Sequence, residues 1–415
     1  MTMGKPKTAL VLSGGGARGA YQAGVLKGLL QLGVLGHGNL PFDILVGTSA
    51  GSINSATLAA YADRVEKGVD ELVQVWSRVR APQVFRTDVL AIAHTAWQWI
   101  RDLSFGGLIG NVRPKALLNT SPLRGTLSQI PFERISRHIE ADRLQALAIG
   151  ATNYYTTNGV LFLEGKPDLP LWHRARYHVE KTRIRVEHLL ASSAIPLFFP
   201  AVEIDGRYFG DGCIRNTAPL SPAIQLGAQK IVAVGVRESL GPSEDDVLQG
   251  ARPLGSTRTR HAHAPHVATI AGVLLDAVMI DAIESDIDHC SRINRSVHAL
   301  DGAPVADDGI LGSPHGGGGL QLSPTEAVQR KISNFRHIDV LWLRPSISFA
   351  TVAGRLESRI PPLIRYLLRG LGDDRASSEL ASYLLFDWVF CNELISQGEA
   401  DVAAQENNIR EFFAR

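Results

Sequence analysis

Thr8-Ala9-Leu10-Val11-Leu12-Ser13-Gly14-Gly15-Gly16-Ala17-Arg18-Gly19 opens the chain's ordered pattern. A short apolar run ends abruptly in three glycines, which predicts a buried strand running into a tight turn. From Gly19 to Gly33, Tyr21, Val25, Leu29 and Leu32 recur at helical spacing, and Gly33 supplies a stop. Asp43 to Gly47 reads as a second short strand. Ser49 to Tyr61 reads as a helix rich in small residues. Strand, helix, strand, helix in this order implies an α/β fold with a parallel central sheet covered by helices.

The same alternation continues with more helix. Glu71 to Arg80 and Asp88 to Leu103 carry helical periodicity. Leu144 to Thr152 returns to strand, and Thr157-Asn158-Gly159 reads as a turn between two strands. Val202 to Gly212 reads as a hairpin turning at Asp205-Gly206. Lys230 to Val236 and Ile338 to Leu343 read as further strands. Ile270, Val273, Ala277, Ile280, Ile287 and Cys290 make one helical stripe. Leu380, Leu384, Trp388, Cys391 and Ile395 make a last one. Residues 237–266 and 301–324 lack periodicity and read as a mobile insert and a glycine-rich loop. The expected organisation is a catalytic core over 7–225, the remainder of the α/β unit over 226–345, and a helical C-terminal extension over 346–415.

Composition narrows the function. The chain has 415 residues, a net charge of +1, 45% hydrophobic and 20% charged residues. Near-neutrality argues against a nucleic-acid partner, and the apolar content against disorder. No apolar run reaches the ~18 residues of a membrane span. Lys5 and Lys7 precede only a five-residue apolar stretch, too short for a secretory leader. Cys213, Cys290 and Cys391 are far apart and form neither a metal pattern nor a disulfide framework. A cytoplasmic location is the expectation.

Two motifs carry chemistry. Gly47-Thr48-Ser49-Ala50-Gly51 lies between a strand and a helix, the context of a nucleophile elbow. Its glycines permit a tight turn that lifts the Ser49 hydroxyl clear, at a helix N-terminus where negative charge is favoured. A plain helix-capping serine has the same sequence context. Gly14-Gly15-Gly16-Ala17-Arg18-Gly19 has the spacing of a dinucleotide fingerprint, but Asp43 stands at the start of the second strand rather than at its end. It lacks the Gly-Lys-Ser/Thr of a P-loop. As an oxyanion hole the same N–H groups would hold the O⁻ of a tetrahedral intermediate. A serine hydroxyl needs a base. His173, His178 and His188 sit among arginines and lysines and read as a solvated basic face. Asp211, between Gly210 and Gly212 at the end of a hairpin strand, is the better base, although Asp-Gly is also an ordinary turn. Trp97, Trp99 and Phe105 suit a core or an acyl-chain wall. Cys290 and Cys391 suit core packing. Asp276, Asp281, Glu284 and Asp288 read as a solvated helix face rather than metal ligands.

Taken in order, Gly14 to Gly19, Gly47 to Gly51 and Asp211-Gly212 resemble the three signature motifs of the patatin-like phospholipase family. Ala191-Ser192-Ser193-Ala194-Ile195-Pro196, Asn216 and Pro219 resemble further family positions, so the likeness covers about the first 225 residues. Leu274 to Asn294 and Ser382 to Phe413 resemble a bacterial subfamily. The resemblance implies a three-layer α/β/α fold and a Ser–Asp dyad without histidine. In that dyad Ser49 is the nucleophile and Asp211 the base. It implies oxyanion donors from Gly14, Gly15, Gly16, Arg18 and Gly19, with Gly47 and Gly51 shaping the elbow. Arg18 matches a basic family position, read as loop positioning or charge stabilisation. Cys213 departs from the family's usual Gly or Ala. The implied activity is lipid acyl hydrolysis of phospholipase A or lysophospholipase type. It would proceed through an acyl-enzyme, with no metal or organic cofactor. The implied partner is lipid at a membrane or droplet surface, touched peripherally. A catalytically weak scaffold on the same fold is the alternative.

Overall fold

The computed structural model describes residues 6–36, 38–86, 116–174, 177–216, 218–238, 283–301, 337–362, 364–365 and 374–414. Its centre is a ten-stranded sheet. The strands are β1 (Thr8–Leu12), β2 (Ile44–Thr48), β3 (Ala146–Asn153), β4 (Gly159–Gly165), β5 (His173–Arg174), β6 (Tyr177–Lys181), β7 (Val202–Ile204), β8 (Arg207–Asp211), β9 (Lys230–Val234) and β10 (Asp339–Leu343). The order is β10-β9-β1-β2-β3-β4-β6-β5, with β8 paired to both β3 and β7. From β10 to β3 every pairing is parallel, and β3–β4 and β3–β8 are antiparallel.

Alternation along the strands builds two cores. Leu10 and Leu12 of β1 and Leu45 of β2 join α1 (Gly19–Gln31), α2 (Ala50–Ala60), α3 (Val65–Arg78) and the C-terminal helices on one face. Ala9, Val11, Ile44 and Val46 join Leu220, Ala223, Ile283 and Cys290 on the other. A strand buried on both sides has no polar face, which is why β1, β2 and β9 read as continuous apolar runs. The result is three layers, α/β/α.

The C-terminal helices pack directly on α1. The Tyr21 hydroxyl donates to Asp401 Oδ2 at 3.0 Å, and Lys27 Nζ pairs with Glu399 at 2.9 Å. The last apolar stripe is not one helix. It divides into Asp374–Leu384 and Trp388–Ala404. Asp387 caps the second helix by accepting from Val389 N at 2.9 Å. The break lets Leu385 and Phe386 both turn inward, with Phe386 edge-on to Phe85, and leaves Trp388 44% exposed. The hairpin turn falls at Asp205 and Gly206, with φ of 50° and 74°. Two consecutive left-handed residues match a type I′ turn. Cys290 and Cys391 are buried as packing residues. Asp88 to Leu103, Trp97, Trp99, Phe105, most of the 237–266 insert and residues 302–324 lie outside the described residues. So do Asp276 and Asp281.

Candidate active site

Strand β3 explains how two residues 162 apart meet. Along one edge it first pairs with β2, where Gly150 stands opposite Thr48. At the next residue the same edge passes to β8, where Ala151 stands opposite Asp211. The ends of β2 and β8 therefore abut, and the residue that follows Thr48 is Ser49. The Ser49 hydroxyl donates to Asp211 Oδ2 at 2.8 Å.

The elbow is local geometry. Ser49 has φ 51° and ψ −124°, and its side chain does not cap α2. That conformation is strained for a non-glycine residue and is characteristic of functional turns. Gly47 and Gly51 allow it. A Cβ on Gly51 would lie 2.2 Å from the Leu12 carbonyl oxygen, and one on Gly47 2.4 Å from that of Gly51. Helix α2 can thus press its N-terminus against the end of β1. The Ser49 N–H donates to Ser192 Oγ at 2.9 Å, and the Ser192 hydroxyl donates to the Gly150 carbonyl at 2.6 Å. Two residues on, the Ala194 carbonyl accepts from Asp211 N at 3.0 Å. The short segment Ser192–Ala194, at the end of the Val186–Ser192 helix, therefore holds both members of the pair.

Asp211 is fully buried, yet bonded at each polar atom. Its Oδ1 accepts from Cys213 N at 2.9 Å, and its carbonyl from Thr152 Oγ1 at 2.8 Å. Burial pushes its carboxyl up from the ordinary 3.8 to about 6. Hydrogen bonds from Cys213 and Ser49 oppose the rise. Asn216 Nδ2 donates to Thr48 Oγ1 at 3.1 Å and ties the turn after Asp211 to the end of β2.

The glycine loop divides by what its N–H groups do. Arg18 N donates to the Gly15 carbonyl, and Gly19 N to Ala17 and Gly16. No described residue accepts from the N–H groups of Gly14, Gly15 or Gly16. Gly14 lies against Ser49: a Cβ there would meet Ser49 Cβ at 3.0 Å and Cys213 Sγ at 2.3 Å. Gly16 has φ +54°, and a Cβ there would meet the Tyr383 carbonyl oxygen at 2.2 Å. The Arg18 side chain is 2% exposed and reaches the Asp374–Leu384 helix instead of solvent. Asp43 lies at the far end of β2, where it accepts from Thr8 N at 2.8 Å. Its carboxylate is already engaged at the wrong end of the strand for a ribose.

The basic-face reading fails for His188. It is 1% exposed, accepts from Arg185 N through Nδ1 at 2.9 Å, and packs on Phe162. Burial lowers its value to about 4, so the ring is neutral at physiological pH. His178 is half-buried and pairs with Glu180 at 2.9 Å. The side chain of His173 lies outside the described residues.

Tyr154, which has no sequence signal beyond its place after β3, also belongs here. A Cβ on Gly210 would meet its hydroxyl at 2.2 Å. Burial raises its phenol, and the Asp211 charge adds to the rise. Among the described residues, no three His, Cys, Asp or Glu side chains are placed to hold a metal ion. No described helix is long and apolar enough to cross a membrane.

A serine on a strand–helix elbow, a carboxylate within hydrogen-bond reach and unclaimed backbone donors beside them form the parts of an acyl-transfer site on a three-layer α/β fold. The model of the patatin-like phospholipase family matches residues 10–224, just over half of the chain, and the protein belongs to that family of lipid hydrolases. A cGAMP-activated phospholipase of Pseudomonas aeruginosa is 28% identical over 293 residues, covering 68% of this chain and 74% of that one. Patatin-like phospholipase domain-containing protein 7 of Rattus norvegicus is 26% identical over 228 residues. That match covers 55% of this chain and only 13% of the rat protein. Among solved structures, human GIVD cytosolic phospholipase A2 superposes with a TM-score of 0.32 at 10% identity, over 95% of this chain and 60% of that one. That superposition is too distant to bear on the site.

Proposed function

We propose that the protein cleaves fatty-acyl esters of lipids, in the manner of a phospholipase A or lysophospholipase, through a Ser49–Asp211 dyad. The observation that carries this reading is the 2.8 Å hydrogen bond from the Ser49 hydroxyl to a fully buried carboxylate. Asp211 takes the Ser49 proton as Oγ attacks the ester carbonyl carbon. The N–H groups of Gly14, Gly15 and Gly16 receive the oxyanion. The C–O bond to the alcohol breaks, and Asp211 returns the proton to the departing oxygen. Water, deprotonated by Asp211, then attacks the acyl-enzyme and releases the fatty acid and Ser49. As the acyl bond to Ser49 breaks, Asp211 passes the proton taken from water to Ser49 Oγ; the site loses one proton with the alcohol in the first half-reaction and regains it from water in the second. A carboxylate pushed up to about 6 is a stronger base than an exposed one and is still mostly ionised at neutral pH. Gly19, Gly47 and Gly51 serve the geometry and Arg18 the loop. Cysteine at 213 supplies the N–H that holds Asp211 Oδ1. The enzyme acts in the cytoplasm and touches its lipid surface peripherally.

The test is turnover of a soluble aryl ester together with labelling of Ser49 by a fluorophosphonate. Ser49→Ala should abolish both. Asp211→Asn should abolish most turnover, and the double variant should be no worse than either single one, because the two act as a unit. A folded wild type that neither labels nor turns over would return the protein to the scaffold reading. Retention of activity in Asp211→Asn, with loss in a histidine variant, would replace the dyad by a triad.

A further inference from the structure

Three segments distant in sequence converge on one carboxylate beside the glycine loop. Glu379 Oε1 accepts from Arg18 Nη2 at 2.8 Å and from Arg237 Nη2 at 3.3 Å. Arg18 ends the turn that follows Gly14, Gly15 and Gly16. Arg237 follows β9 and comes directly after Val236, whose Cγ2 would lie 2.6 Å from a Cβ on Gly15. Ser382 Oγ accepts from Arg18 Nε at 2.8 Å and from Nη2 at 2.5 Å. It donates in turn to the Glu379 carbonyl at 2.5 Å. The Tyr383 ring lies 4.0 Å from the guanidinium carbon, and its hydroxyl accepts from Nη1 at 3.2 Å. The Tyr383 backbone closes over Gly16.

This is more than a buried ion pair. Arginine's planar fork fixes direction as well as charge, and here each of its nitrogens is spoken for by one helix. Among the described residues, the three N–H groups assigned to the oxyanion have no acceptors to fix them. Within the loop, among the described residues, backbone bonds run from Arg18 and Gly19. Whatever aims Gly14–Gly16 must therefore act through Arg18 and through the surfaces packed on Gly15 and Gly16.

We propose that Glu379 and Ser382 are positioning residues for acyl transfer: acting through Arg18, the Asp374–Leu384 helix sets the glycine loop in the geometry that binds the oxyanion. This rests on the oxyanion reading given above. Glu379 and Ser382 act through Arg18, so their contribution is to turnover rather than to substrate binding.

The experiment uses the full chain with a soluble aryl ester. Ser382→Ala removes two acceptor contacts and little volume. Glu379→Gln keeps the shape and the acceptor oxygen while removing the charge. Displacing catalytic groups by about 1 Å can lower turnover by up to about 10²-fold. Ser382→Ala should lower kcat about ten-fold or more, and Glu379→Gln in the same direction, with KM within about two-fold of wild type. Affinity for an alkyl boronic acid, which becomes tetrahedral on Ser49, should fall in parallel with kcat. A purely structural role would not produce that parallel. Folded variants with unchanged kcat, or with a raised KM and unchanged kcat, overturn the proposal. If Ser382→Ala does not fold, the same outcomes read on Glu379→Gln decide it. Full turnover in Ser49→Ala would instead refute the dyad beneath it, so the two failures are distinct.

Discussion

Asp211→Asn should make the protein more stable while it destroys activity. The wild-type carboxyl is fully buried, and burial moves it from the ordinary 3.8 to about 6. Each pKa unit between folded and unfolded states corresponds to about 1.4 kcal/mol, so ionised Asp211 burdens the native state by at most about 3 kcal/mol above pH 7. The sign follows from proton counting. Between 3.8 and about 6 the folded state binds more protons than the unfolded one. Stability therefore falls as pH rises through that window and stays low above it. Asparagine carries no charge and preserves the bonds. Its Oδ1 can accept from Cys213 N, and its Nδ2 can donate to Ser49 Oγ, reversing the existing bond. Urea unfolding of wild type and variant across pH 3.5 to 8 is the assay. The variant should be more stable at pH 8, and the two curves should converge below pH 4. If Asp211→Asn is equally or less stable at pH 8 while folded, the carboxylate is not a desolvated charge, and the account of its basicity fails with it.

The activity profile follows from the same group. The base must be ionised, so kcat/KM should fall as pH drops through about 6, and a His188→Asn variant should keep that limb. A limb so close to the imidazole range cannot be assigned by position alone; its disappearance in a histidine variant would count against Asp211. Ser192→Ala removes the acceptor for Ser49 N and the donor to Gly150. It should destabilise by about 1–3 kcal/mol for the unmet buried groups and lower kcat more than it raises KM, read from unfolding and steady-state kinetics. Unchanged kcat there would mean that the elbow holds itself. Gly14→Ala drives a methyl onto Cys213 Sγ and Ser49 Cβ and should suppress turnover; Cys213→Gly in the same chain should recover part of it, because the closer clash is with sulfur. No recovery would place the damage at Ser49.

The chain's first sixty residues declared much of this by themselves. An apolar run broken by Gly14-Gly15-Gly16, a helix stopped at Gly33, and Gly47 to Gly51 between strand and helix are local statements. Backbone sterics and side-chain periodicity decide them within a few residues. Asp205-Gly206 likewise declared its hairpin, because a type I′ turn needs two left-handed residues. Asp211 could be preferred over the histidines from its place between glycines at a strand end, but Asp-Gly is also an ordinary turn, and resemblance carried the rest. Its meeting with Ser49 depends on β3 passing one edge from β2 to β8 between Gly150 and Ala151. Strand exchange of that kind leaves no periodicity in the sequence. The same holds for His188, whose charged neighbours suggested solvent while its helix turned the ring onto Phe162. Arg18 could be recognised as basic but not as buried, because its partners at Glu379, Ser382 and Tyr383 lie more than 360 residues away. Local conformation is fixed by near neighbours along the chain. Burial, pKa and the aim of a side chain are fixed by neighbours in space, and those only the folded sheet brings together.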